Sequence, residues 1–295
     1  MKLRLLDTFA GIGGFSLGLE ATGFFETVAF CEIEDFPRRV LAKHWPDVYI
    51  HDDIRTLRYT RDDSEEPDDW ILYDEELDHE IIRGPVDVIS GGFPCTDISL
   101  AGNQAGIEGD QSGLWSELAR LIGEVRPAVA ILENVTSLLA GDRGRWFGRV
   151  LGDLAALGYC AEWHCLPAAS IGAPHRRDRV WIIAYAEGEP ERSGLRQGEP
   201  PGERRGRSRD VDPEMSDTFG ERLEGLLETW ATSRPANRPG DGSRPGWFAV
   251  EPDVRRVVDG LPDRIHRIKA LGNAIVPEIA ELIGYAVAGH AGLLR

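Results

Sequence analysis

At 295 residues, 42% of them hydrophobic, the chain can bury one sizeable core and carry a small appended domain, since domains run to about 150 residues. A formal net charge of −17 argues against a protein coated in basic surface for phosphate binding. No run approaches the ~20 apolar residues of a membrane-spanning helix, and the N-terminus MKLRLLDTFAG lacks the layout of a signal peptide.

The four cysteines (Cys31, Cys95, Cys160, Cys165) form no CxxC pair and no disulfide-framework spacing. A chain of the reducing cytoplasm is expected, without a metal site and with Cys160 and Cys165 as buried thiols. Charge is uneven. Residues 61–80 form a dense acidic block, read as a solvated surface excursion, whereas 203–209 is ERRGRSR. Lysine occurs only at Lys2, Lys43 and Lys269, a balance that either a salty cytoplasm or a GC-rich genome produces.

In chain order, 3–8 (LRLLDT) reads as a first strand, followed by AGIGG and the helical pattern FSLGLEATG with its glycine C-cap. A second strand is expected at 27–33 and a helix at 35–44, stopped before Pro46. VDVISGGFPC (86–95) is a strand running into a loop, and PAVAILENV (127–135) repeats that pattern. A helix over 146–158 and a buried strand at 179–186 follow. Strands alternating with helices predict an α/β fold, its mostly parallel sheet covered on both faces. From 187 to 246 the texture turns to Gly, Pro, Arg and Glu, and order returns at 264–288 as a short loop leading into an amphipathic helix.

A strand, then Phe9-Ala10-Gly11-Ile12-Gly13-Gly14, then a helix is a nucleotide-type cofactor loop. Its spacing departs from GxGxxG, and such glycines also serve ordinary strand-to-helix turns. Glu32, about twenty residues on, is placed to hydrogen-bond both ribose hydroxyls, and Asp53 to accept from an adenine amine; the bland alternative for each is a solvated strand-end carboxylate. Gly91-Gly92-Phe93-Pro94-Cys95 displays a thiol at the carboxyl end of a strand, where ligands bind in open α/β sheets. Glu133 ends the next strand, and His175-Arg176-Arg177-Asp178-Arg179 precedes the last. Arginines near the thiol would favour its thiolate; otherwise Glu133 and Arg179 form a structural ion pair.

These motifs, FAGIGG, CEIE, DDI, GGFPC, GLWSEL, ENV, HRRDRVWIIA and LGNAIVP in that order, resemble the DNA cytosine-C5 methyltransferase family over nearly the whole chain. The resemblance implies a Rossmann-like S-adenosylmethionine-dependent fold that flips a cytosine out of duplex DNA. It implies Cys95 as the nucleophile at C6 and Glu133 as the group holding N3 and the exocyclic amine. Arg179 would sit at the O2 edge, and Arg177 would support the thiolate side. Phe9, Gly11, Gly13, Gly14, Glu32, Ile33, Asp53, Ile54, Leu114 and Asn273 would bind S-adenosylmethionine.

The implied layout is a catalytic domain of 1–184 plus 265–295 and a target-recognition region of 185–264. Arg204, Arg205, Arg207 and Arg209 of that region are candidate DNA contacts, against the alternative of a disordered Arg/Gly/Glu linker. The partner implied is double-stranded DNA, with a monomeric enzyme, no membrane, and a companion restriction endonuclease as a further possibility. The sequence departs from the family pattern at His175, commonly Gln, and at Ala274, commonly Ser. Three rivals stay open: an RNA cytosine methyltransferase on the same motifs, a catalytically silent binding module, and a nicotinamide-linked oxidoreductase, which leaves the cysteine loop unexplained.

Overall fold

A computed structural model describes residues 2–61, 70–76, 79–94, 113–173, 175–187 and 264–293. Its centre is a seven-stranded sheet of β1 (Leu3–Thr8), β2 (Phe25–Cys31), β3 (Tyr49–His51), β7 (Val88–Gly91), β8 (Val129–Val135), β9 (Tyr159–Pro167) and β10 (Asp178–Ala186). The strand order is β3-β2-β1-β7-β8-β10-β9. The first five run parallel, and β10 turns antiparallel to both β8 and β9. The mostly parallel sheet expected from the alternating pattern is therefore present, closed at one side by an antiparallel pair.

Both faces of this sheet are buried, which is why its strands read as unbroken apolar runs. Leu5, Val88, Ile131 and Ile183 point to one face, packing under α1 (Gly14–Ala21) and α7 (Pro277–His290). Their sequence neighbours Leu6, Ile89, Leu132 and Ile182 point to the other, under α3 (Leu114–Val125) and α5 (Arg145–Ala156). A smaller apolar group, Ala10, Phe30 and Leu41, lies beneath α2 (Asp35–His44).

Three departures from the sequence reading have physical causes. The 264–273 stretch is a helix, α6 (Arg264–Asn273), instead of a loop, and α7 begins only at Pro277. Val276 is extended (φ −81°, ψ 108°), because proline disfavours a helical residue before it and is pre-organised for a first helical turn. Taken as one run, Lys269–His290 is long and apolar enough to cross a membrane. Here 274–276 interrupt it, and its apolar residues Ile279, Leu282, Ile283 and Val287 are core residues.

The acidic block is in part regular structure, its residues 62–69, 77 and 78 lying outside those described. Its described residues belong to a three-stranded antiparallel sheet of β4 (Leu57–Arg61), β5 (Trp70–Asp74) and β6 (His79–Arg83). Leu72 and Tyr59 are buried there, and Tyr59 stacks on Trp70 at 5.3 Å. Finally, Cys165 is exposed and Cys160 half-buried, both on the edge strand β9, whereas Cys31 is the buried one among the described cysteines.

The start of α7 and the 274–276 link dock on α1 through close backbone contact. A Cβ on Gly18 would overlap the Pro277 carbonyl oxygen, and one on Gly14 would stand 2.7 Å from Ile275 Cβ. Gly18→Ala should thus force α1 and α7 apart and cost about 1–3 kcal/mol. Gly152→Ala, in α5 with open space around the added carbon, should gain roughly 0.5–1 kcal/mol from helix propensity. Urea unfolding of the two variants checks the opposite signs.

Candidate active site

The chain leaves β1 toward β2 and β3 on one side, and β7 and β8 lie on the other. Between β1 and β7 the strand order reverses, and ligands of open α/β sheets sit outside the carboxyl ends of strands at such a point. The glycine loop after β1 and the Gly92-Phe93-Pro94 segment after β7 face each other there. Because β10 is antiparallel, its start lies at this same end, with Arg179 registered against Val135 and Trp181 against Glu133.

Phe9, Gly11 and Gly13 all have positive φ (50°, 54° and 85°), a left-handed path that glycine takes without Cβ strain. Gly13 has a second reason to lack a side chain, since a Cβ would stand 2.6 Å from the Trp45 ring. The loop is anchored from below by Asp7, which is fully buried at the end of β1. Its carboxyl group accepts from Ser16 Oγ at 2.8 Å and from Ser90 Oγ at 2.7 Å, joining α1 to β7. Burial pushes its pKa up to about 7. Sequence reasoning passed over Asp7, although a lone acid inside LRLLDT was a visible signal.

Glu32 lies just beyond the end of β2, with its carboxylate turned into the loop. It accepts from the backbone N–H of Gly11 and of Glu34, each at 2.7 Å. Burial raises its pKa against these two hydrogen bonds. The next residue, Ile33, is 59% exposed, an apolar side chain left in solvent beside a buried acid. Asp53 is engaged differently: both its oxygens accept from Arg55 Nε, at 2.9 and 3.0 Å. That hydrogen bonding holds its pKa below the usual carboxylate range. Ile54 is buried in the core. Phe9 and Leu114 pack half-buried against the same core cluster. Asn273 ends α6 and is exposed.

At the other half of the site, Glu133 is only 8% exposed. Arg179 Nε donates to its Oε1 at 2.8 Å, diagonally across the β8–β10 ladder. Burial raises Glu133 to a pKa of about 7, against the opposing pull of Arg179 and Arg177. A Cβ on Gly92 would lie 3.2 Å from Glu133 Oε2, so the GGFP segment passes directly over this carboxyl group. Asn134 fixes the segment by donating from Nδ2 to the Phe93 carbonyl at 3.1 Å.

Arg177 stands in a left-handed conformation (φ 38°). Its two terminal nitrogens donate to the carbonyls of Gly272 and Ala274, at 2.7 and 2.6 Å. It therefore ties the β10 start to the LGNAIVP segment. Burial and the neighbouring Arg179 lower its pKa. Cys95 lies outside the described residues, as do Arg204, Arg205, Arg207 and Arg209.

A buried acid–guanidinium pair under one loop and a buried acid held by backbone N–H groups under the other thus stand at one switch point. The model of the C-5 cytosine-specific DNA methylase family fits residues 3–233. The chain belongs to that family. Among curated members it is 33% identical over 193 residues to the Type II methyltransferase M2.BsuMI of Bacillus subtilis, spanning 64% of this chain and 43% of that protein. It is 34% identical over 185 residues to the Type II methyltransferase M.Bsp6I of a Bacillus species, spanning 62% and 52%. The chain thus matches about half the length of these curated relatives. In fold it resembles the Entamoeba histolytica methyltransferase EhMeth, with a TM-score of 0.56 at 12% identity over 100% of both chains.

The raised pKa of Glu133 has a stability signature. The folded carboxyl group (about 7) holds its proton more tightly than the unfolded one (4.5). Its contribution is therefore greatest below about pH 4.5. It falls by on the order of 3 kcal/mol as the pH rises to about 7, and is flat above. The unfolding free energy of wild type minus that of Glu133→Gln, whose neutral amide mimics the protonated acid, should fall by about that amount between pH 4.5 and 7 as the wild type loses stability and the variant does not.

Proposed function

We propose that this chain transfers a methyl group from S-adenosylmethionine to C5 of a flipped-out cytosine in duplex DNA, with Cys95 as nucleophile. The observation that carries the reading is Glu133: a buried carboxyl group with a pKa of about 7, paired to Arg179 and lying under Gly92, three residues before Cys95.

The residues present suit an adenosine-type methyl donor. Glu32 is a buried acceptor already held by two N–H groups, each oxygen keeping a free lone pair, and Ile33 beside it offers an exposed apolar surface for a flat base. Asp53 fits only if it shares its oxygens with Arg55. Phe9, Gly11, Gly13, Gly14, Ile54, Leu114 and Asn273 complete the proposed holding set. S-adenosylmethionine, when bound, supplies an electrophilic methyl group.

The chain's own groups do the rest. Cys95 adds as thiolate to C6 of the base, and the electron pair displaced from the C5–C6 double bond makes C5 nucleophilic. Glu133, titrating near neutrality, can hold a proton at N3 while that charge develops and release it afterwards. Arg179 keeps Glu133 in place and presents its remaining N–H groups to the O2 edge. C5 then bonds the methyl group as its bond to sulfur breaks, leaving S-adenosylhomocysteine, and transfer of the C5 proton to solvent expels Cys95 as thiolate and restores the ring. Arg177 acts one step away, since its nitrogens are committed to the 272–274 carbonyls. Sequence recognition belongs, in this proposal, to 185–264, with Arg204, Arg205, Arg207 and Arg209 contacting DNA; these local cations would offset the −17 net charge where phosphates approach.

Transfer of a labelled methyl group to duplex DNA and to tRNA, side by side, tests the reading. Wild type should label DNA. Cys95→Ser should abolish labelling with cofactor affinity intact, and Glu133→Gln should slow it by about 10²–10⁴-fold, the usual worth of a proton-handling group. Labelling of tRNA alone would transfer the chemistry to an RNA substrate, and a Cys95→Ser variant that keeps turning over would refute the nucleophile.

A further inference from the structure

The β4–β6 sheet, built from the acidic stretch that sequence reasoning set aside, is wired to the loop between β3 and β4. His51, buried at the end of β3, is the hub. Its carbonyl accepts from the Glu32 backbone N–H at 2.9 Å. Its ring Nε2 lies 2.8 Å from both the Asp53 carbonyl oxygen and Thr56 Oγ1. One residue thus joins the stretch carrying Glu32 to the loop carrying Asp53. Its remaining ring nitrogen, Nδ1, faces Asp74 Oδ2 of β5 at 3.6 Å, with both side chains buried.

Two more contacts run from the sheet to the same loop. Glu75 N–H donates to the Thr56 carbonyl at 2.9 Å. Arg58 donates to the Arg55 carbonyl at 2.7 Å while paired with Glu75. From the opposite side, α3 holds the loop through Arg120, which donates to the carbonyls of Ile54 and Leu57 at 2.8 and 3.1 Å. The loop carries few apolar side chains of its own, so these polar contacts fix its path. A buried carboxylate is costly to desolvate, and the sheet buries Asp74 where its oxygen meets His51.

We propose that the β4–β6 sheet is a working part of the cofactor site. Through Asp74, acting on His51, it holds Asp53 at a set distance from Glu32 and so determines affinity for the adenosine end of the cofactor. Asp74 is in this view a positioning residue that touches no reacting atom. The inference rests on the adenosine-cofactor reading above.

Calorimetric titration with S-adenosylhomocysteine and with adenosine alone, on wild type and Asp74→Asn, tests it. The variant keeps an oxygen for the Glu76 N–H that Asp74 Oδ1 accepts at 2.8 Å, which favours an intact fold; an unchanged circular-dichroism spectrum confirms this. Affinity for both ligands should fall about tenfold, while kcat at saturating cofactor and KM for DNA stay unchanged. Should Asp74→Asn prevent folding, Arg58→Ala, which removes an exposed-side contact to the same loop, should show a smaller loss with the same split. A folded variant with wild-type affinity for adenosine, or one in which kcat falls and cofactor affinity does not, overturns the role of the sheet. Wild type that binds neither ligand instead refutes the cofactor reading itself.

Discussion

A carboxyl group sunk beneath a sheet end, with a guanidinium beside it, is the constraint around which this molecule is arranged. Glu133 gains its position from a strand that must be buried on both faces, and its partner from the single reversal of strand direction that brings β10 in antiparallel. With β10 running parallel, Arg179 would emerge at the far end of the sheet. The reversal places it one diagonal step from Glu133, and the absence of a side chain at Gly92 lets the GGFP segment pass close over Glu133. Burial raises the acid toward neutrality and the arginine restrains it. A group poised in this way can carry a proton in either direction at physiological pH.

The same logic of buried polar links repeats along the site. Asp7 pins the glycine loop to β7, Asn134 pins the Phe93 carbonyl to β8, and Arg177 pins the C-terminal segment to β10. Each link crosses between segments that are distant in sequence, so the two halves of the site are held in register by hydrogen bonds from inside the sheet as much as by helix packing. The C-terminal helix and the residues just before it, although last in the chain, pack against α1 so closely that Gly18 and Gly14 have no room for a Cβ. The N- and C-terminal motifs therefore form one structural unit.

The strands and the two loops were legible because their signals are local: apolar runs ending in glycine, and acids or a thiol immediately after them. The helix 35–44 was legible for the same reason, bounded as it is by an acid and a proline. What escaped was determined at longer range. His51 and Asp74 are 23 positions apart and meet only because β5 folds back beside β3. The acidic composition of 61–80 hid the apolar Tyr59–Trp70 stack that makes a sheet of its flanks. The 264–273 helix lacks an apolar stripe clear enough to announce itself. The exposure of Cys165 depends on β9 being an edge, which no property of CAEWHC reveals. The hydrogen bonds of Arg177 to the 272 and 274 carbonyls are likewise invisible until the C-terminal segment is in place.

In the proposed function, the residue that follows Pro94 bonds covalently to the base. Incubating the protein with S-adenosylmethionine and a methylatable duplex carrying 5-fluorocytosine measures this most directly, because fluorine at C5 blocks release of the enzyme. A denaturation-resistant adduct that maps to Cys95 is the predicted result. Bound cofactor and DNA with no adduct, or an adduct on another residue, would contradict it.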